Sequence, residues 1–322
     1  MNDEQRMLAD MANELFASLG PDSSMENGWQ SVEDVALPGL LLDEDKGGFG
    51  GSWEDALIVF RLAGYHAVAL PVAEAAIAAA LAGQAEGRGT IASGSEGVIE
   101  GNRFHGTITG ACHADGAGFI IAPAPDHGSM IVQTEGSTVN AGHNIAGESR
   151  DRLVCHEMEI RRVDDNIFAL GALARVAQSA GALDAALEKS VTYANERQQF
   201  GRHLGKFQAV QQALASFASE AAAANCAAMG AAQAMERDNG LFEIACAKLR
   251  ANRAIGVGTA LAHQVHGAIG FTEEYPLHLL TRRLWAWRSE FGNDARWSEH
   301  IGTRIIARGA DSFWADLTAL TG

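Results

Sequence analysis

The sequence predicts a mainly α fold in three parts: an N-terminal helical domain (1–87), a small β domain (88–165) and a C-terminal four-helix bundle (166–322). Three observations carry this. Alanine-rich runs recur while proline is scarce, at 6 residues, and alanine is the strongest helix former. Apolar residues repeat at three- and four-residue spacing near both ends of the chain, as in Met7, Leu8, Met11, Leu15 and Leu19, and again in Phe207, Val210, Leu214, Phe217 and Ala221. Between them the composition shifts to Gly, Thr, Val and Ile in short runs broken by turns, which reads as strands.

Taken in order, the first helix spans 2–19 and stops at Gly20-Pro21. Trp29 to Leu42 reads as a short helix followed by an extended piece. Lys46 to Gly51 is a glycine turn, and it lacks the GK[ST] order of a phosphate-binding loop. Ser52 with Asp55 three residues on forms a capping signal for a helix running to about Leu70, and an alanine-rich helix follows over 72–81. Strands are expected at Phe119–Ala122, Met130–Gln133 and Leu153–Ile160. Further helices are expected near 167–196, 206–237, 241–267, 276–289 and 294–320. Their outer faces are also alanine-rich, the mark of a bundle that packs against other subunits.

Composition excludes several classes. A net charge of −16 repels phosphate backbones, so nucleic acid is not an expected partner. Four cysteines without a CxxC pair argue against a metal site or a disulfide framework and fit a reducing cytoplasm. The acidic start is unlike a secretion signal, and the weakly polar run Ala67–Gly83 is interrupted by Pro71 and Glu74, so no membrane span is expected. In so acidic a chain, an anionic cofactor needs a local arginine or open backbone amides.

Two stretches offer that. In Glu196–Gly201, ERQQFG, Arg197 precedes a helix break; its guanidinium fork matches a pyrophosphate, although a surface ion pair is the commoner use of an arginine. In Gln264–Leu277, QVHGAIGFTEEYPL, a glycine turn ends a helix; glycine permits close backbone approach to phosphate or ribose, and it also serves simply as a helix C-cap.

ERQQFG followed by KFQAVQ, and QVHGAIGFTEEYPL followed by the pair Arg282-Arg283, resemble the two C-terminal signatures of the acyl-CoA dehydrogenase family. The likeness is strong over 166–292, moderate over 29–70 and weak over the β domain. It implies FAD as cofactor, an acyl-CoA substrate, a tetramer and an electron-transfer flavoprotein as acceptor. It implies FAD contacts from Arg197, Phe200, Leu204, Phe207 and Gln208, with Gln264, Gly267 and Ala268 at the adenine end. Leu204 and Phe207 would serve a core equally well, and His266 is expected to be structural.

The chain departs from the family where the catalytic base belongs. Counting from Gln264, the usual carboxylate position falls on Phe291; counting back from Tyr193, the alternative position falls on Gly171. Glu290 is the nearest carboxylate, either a base or a solvated charge at a helix end. The TEP…GSD strand motif is missing between 85 and 115, with only Thr107–Gly110 loosely similar to the strand after it, and NDARW replaces the Thr and Gln that follow the glycine in relatives. These losses resemble the shorter, base-less subunit of heterotetrameric, steroid side-chain type acyl-CoA dehydrogenases, whose partner chain supplies the base. A self-sufficient homotetramer using Glu290, a flavin-free structural subunit, and another flavin reaction on the same fold remain as alternatives.

Overall fold

A computed structural model describes residues 1–237, 240–312 and 314–315. It opens with α1 (Asp3–Leu19), α2 (Trp29–Asp34), α3 (Trp53–Tyr65) and α4 (Val72–Ala82). Asn2 caps α1 reciprocally with Gln5. Ser52 and Asp55 do the same for α3, each accepting from the other's backbone amide at 3.1 and 2.9 Å. α3 stops at Tyr65, short of Leu70, because Ala67 turns left-handed (φ 53°) and the chain must prepare for Pro71. After α2 the segment Leu37–Gly39 forms a 3-10 turn around Pro38 rather than an extended piece.

The middle of the chain forms β1 (Gly89–Ile91), β2 (Gly94–Glu100), β3 (Arg103–Ala111), β4 (Phe119–Pro123), β5 (Ser129–Gln133), β6 (Thr138–Asn140) and β7 (Asp151–Val163). They make one sheet in the order β1-β4-β5-β7-β3-β2, with β6 also on β7. The expected strands are β4, β5 and β7. β2 and β3 are glycine-rich and largely exposed on β2, so they lack the apolar runs that mark a strand in sequence. One side of the sheet has its own core, built on Phe104, Ile108, Ile120, Met130 and Leu153. Phe119, Ile121 and Ile131 instead join the helical core.

The remainder is α5 (Ile167–Glu196), α6 (Gln208–Met235), α7 (Leu241–His266), α8 (Leu277–Ser289) and α9 (Asp294–Arg308). α9 ends at Arg308 with Gly309 (φ 81°) as its cap, and half of the expected continuation to 320 lies outside the described residues. α5 is the central helix, packed on α3, α6, α7 and α8. Its crossing with α3 is close enough that a Cβ on Gly64 would overlap the Gln178 carbonyl, and one on Gly181 the Arg61 carbonyl. α6 carries one charged side chain, Glu220, which pairs with Arg250, and its outer face of Gln212, Ala215, Ser219, Ala222, Cys226 and Met229 is exposed. Among the described residues no helix is long and apolar enough to cross a membrane, and no group of His, Cys, Asp and Glu is arranged to hold a metal ion.

Candidate functional site

The end of α5 presents the first signature on the surface. Arg197 is the extended C-cap residue, its amide bonded to the Tyr193 carbonyl. A tight hairpin follows, Gln198–Gln199 against Arg202–His203, turned by Phe200 (φ 52°) and Gly201 (φ 77°). Two consecutive positive φ values are the type I′ hairpin geometry. They hold the Phe200 ring out at 90% exposure. Phe207 packs edge-on to Phe200 and lies 4.0 Å beneath the Arg202 guanidinium. Leu204 and Phe207 are half-buried, and Gln208 is exposed at the start of α6.

The second signature closes α7. Gln264 is exposed, Gly267 ends the helix with φ 66°, and Ala268 is exposed in the 3-10 turn Gly267–Phe271. His266 is buried, bonds the Ala262 carbonyl at 2.8 Å, and packs between the rings of Tyr193 and Tyr275. Burial holds its pKa below the usual histidine value. Tyr193 sits one turn before Arg197, so this ring contact brings the two signatures to the same end of the bundle.

The two base positions meet elsewhere. Phe291 is 3% exposed with φ 51°, and its ring occupies the space in which a Gly171 side chain would lie. Phe168 packs edge-on to it, and the Arg175 guanidinium lies 5.6 Å above it. Positions far apart in sequence therefore share one spot, and neither brings a carboxylate there.

Glu290 is neither a solvated charge nor a free base. Its Oε1 accepts from Asn144 at 2.8 Å and from Arg150 Nε at 2.9 Å; its Oε2 accepts from Arg175 at 2.7 Å and Arg150 Nη2 at 2.9 Å. Burial alone pushes the carboxyl up, but Arg150 and then Arg175 overcome it and hold the group well below the ordinary carboxylate range. The pairing continues both ways. Arg175 reaches Glu74 at 2.6 Å. Arg150 reaches Glu148 at 3.0 Å, and Glu148 accepts from Arg283 at 3.1 Å and the Trp287 indole at 2.9 Å. Sequence spacing does not predict these partners. Their signal was present: Glu74 and Arg175 stand inside apolar helical runs, where a charge must be paired.

Beside this spot a crevice of about 890 Å³ opens between the sheet and the bundle, lined by Ser93, Ile145, Phe168, Trp285, Phe291 and Arg296 among others. Thr107–Gly110 lies in β3, whose Thr109 pairs beside Ser93 at its rim.

Residues 161–306 match the family model for the acyl-CoA dehydrogenase C-terminal domain. Acyl-CoA dehydrogenase IpdE2 of Mycobacterium tuberculosis is 29% identical, the match covering 80% of each chain. Acyl-CoA dehydrogenase FadE34 of the same organism is 29% identical over 94% of this chain, which spans about half, 46%, of that longer protein. Among solved structures, the ChsE4-ChsE5 complex of M. tuberculosis superposes with a TM-score of 0.84 at 22% identity, covering 96% of this chain and 98% of that one. A chain of the Tcur3481-Tcur3483 steroid ACAD superposes with a TM-score of 0.86 at 23% identity, covering 96% and 99%. At such identities the structures establish the fold.

Residues 161–306 belong to the acyl-CoA dehydrogenase family through its C-terminal domain, and the chain resembles acyl-CoA dehydrogenases at 29% identity. That family consists of FAD-dependent flavoproteins.

The residues present fit the nucleotide end of FAD. Among the described ion pairs none engages Arg197, leaving its guanidinium for a phosphate. His203 Nδ1 is a buried ring nitrogen without a partner in the same hairpin. Nothing lies within 4 Å of where a Gly267 Cβ would be, so that backbone is open to a ligand.

Proposed function

We propose that this chain is a subunit of an FAD-dependent acyl-CoA α,β-dehydrogenase, working in an α2β2 assembly whose longer partner supplies the catalytic base. The observation that carries the reading is the packing of Phe291 onto Gly171, which leaves both usual base positions without a carboxylate while the two nucleotide-binding signatures are kept. Arg197 and the open backbone at Gly267 would hold the FAD pyrophosphate and adenine end, with Phe200, Leu204, Phe207, Gln208, Gln264 and Ala268 around them. FAD, when bound, supplies a hydride acceptor for the acyl β-carbon.

The α-proton of a thioester is weakly acidic, so it needs a free carboxylate close by. Glu290 accepts four hydrogen bonds and carries a depressed pKa, which makes it a poor base. This disfavours the self-sufficient reading. The steroid side-chain substrate class is supported by the solved steroid ACAD of the same fold. A cytoplasmic setting is supported by four unpaired thiols, and an electron-transfer flavoprotein is the acceptor that the family reading implies.

The test is to purify the chain alone and together with an acyl-CoA dehydrogenase-like chain encoded beside it. FAD absorbance and acyl-CoA turnover are expected only in the pair. Full FAD content with turnover by the chain alone would overturn the reading, and a pair that never holds flavin would favour a structural subunit.

A further inference from the structure

We propose that the ion ladder Glu74–Arg175–Glu290–Arg150–Glu148–Arg283 is a built-in lock that holds the β6–β7 connection against α8, whether or not a cofactor occupies the crevice above it. The proposal goes beyond the dehydrogenase reading and does not rest on it.

Its members alternate in sign without a gap, through contacts of 2.6, 2.7, 2.9, 3.0 and 3.1 Å. They come from α4, α5, the end of α8, the segment just before β7 and the middle of α8, so one run of charge joins helices to sheet. Three carboxylates face three guanidinium groups, and the charge is balanced internally. All are largely withdrawn from water; the most exposed side chain, that of Glu290, is at 14%. Asn144 adds a bond to Glu290 from the same connection, and Arg282 donates to the Ile145 carbonyl at 2.9 Å.

The location makes this more than ordinary pairing. The other side of the sheet reaches the helices through apolar contacts of Phe119, Ile121 and Ile131. Along the 144–150 connection only Ala146 adds an apolar contact to the helical core, and the ladder runs beside it with Glu290 lining the crevice. A buried charge that loses its partner is strongly unfavourable, so the elements cannot part here without leaving charges unpaired. The connection is also braced internally by the Arg150 amide on Gly142 and the Asn144 amide on Glu148. Its backbone exchange therefore reports on the lock.

Hydrogen–deuterium exchange of the full chain, together with any partner it purifies with, tests this. Segments 144–150 and 285–292 should exchange alike, within about twofold, before and after FAD is stripped. In Glu290→Ala and in Arg150→Met they should exchange on the order of a hundredfold faster, well beyond the change in α6, which sits away from the ladder. Should Glu290→Ala fail to fold, Glu290→Gln keeps the shape and removes the charge, and a smaller loss in the same two segments is expected. Wild-type exchange accelerating on FAD removal as much as in the variants would overturn the proposal. So would ladder variants that exchange like wild type.

Discussion

Phe291 and Glu290 are neighbours with opposite fates. The left-handed backbone at Phe291 sends its ring onto Gly171, while Glu290 points into two arginines. Removing that carboxylate leaves Arg150 and Arg175 short of a partner, so Glu290→Ala should lower stability by about 3–5 kcal/mol, read from urea unfolding. At the opposite end of the bundle, Arg197→Ala should weaken FAD retention more than Phe207→Ala. The first variant loses a charge-assisted contact to a dianion, the second one packing contact. Equal FAD occupancy in the two purified proteins would count against Arg197 as a cofactor ligand.

Among the elements, the α3–α5 crossing depends on absent side chains. Gly181→Val should markedly lower the melting temperature, because even a Cβ there overlaps the Arg61 carbonyl and the helices must separate. The α7–α8 contact includes Lys248, which is fully buried. Its ammonium donates to Asn252 and to the Trp287 and Arg288 carbonyls at the end of α8. Burial pulls its pKa down to about 7, against the attraction of Glu290. Between pH 7 and the ordinary lysine value near 10.5 the unfolded chain therefore keeps a proton that the folded chain releases, and stability rises with pH across that window. Lys248→Met should remove this contribution. Urea midpoints of both proteins at pH 7 and pH 9 measure it, and an equal pH slope in both would exclude Lys248 as the source.

For the whole molecule, the uncharged outer face of α6 is exposed, with no counterpart among the described residues. A helix of 28 residues with one charge, already paired, is suited to burial against another subunit. Ala222→Glu should leave the circular dichroism of the chain intact and reduce its assembly on gel filtration. An unchanged elution volume, in the pair and in the chain alone, would place the interface elsewhere.

Much of this architecture was legible in order of appearance. The span of α5, the capping of α3 by Ser52 and Asp55, and three strands follow from local spacing, because helix and strand periods are written in neighbouring residues. The sequence by itself determined the helix–sheet–helix order, the two family signatures, and the missing carboxylates at 171 and 291. Only the tertiary structure decided that those two positions coincide and that Glu290 is spent on a buried ladder. It also showed that Tyr193 and His266 join the signatures at one end of the bundle. The reason is physical: periodicity reports which face of an element is apolar, whereas the partner of a buried charge is set by how distant elements cross.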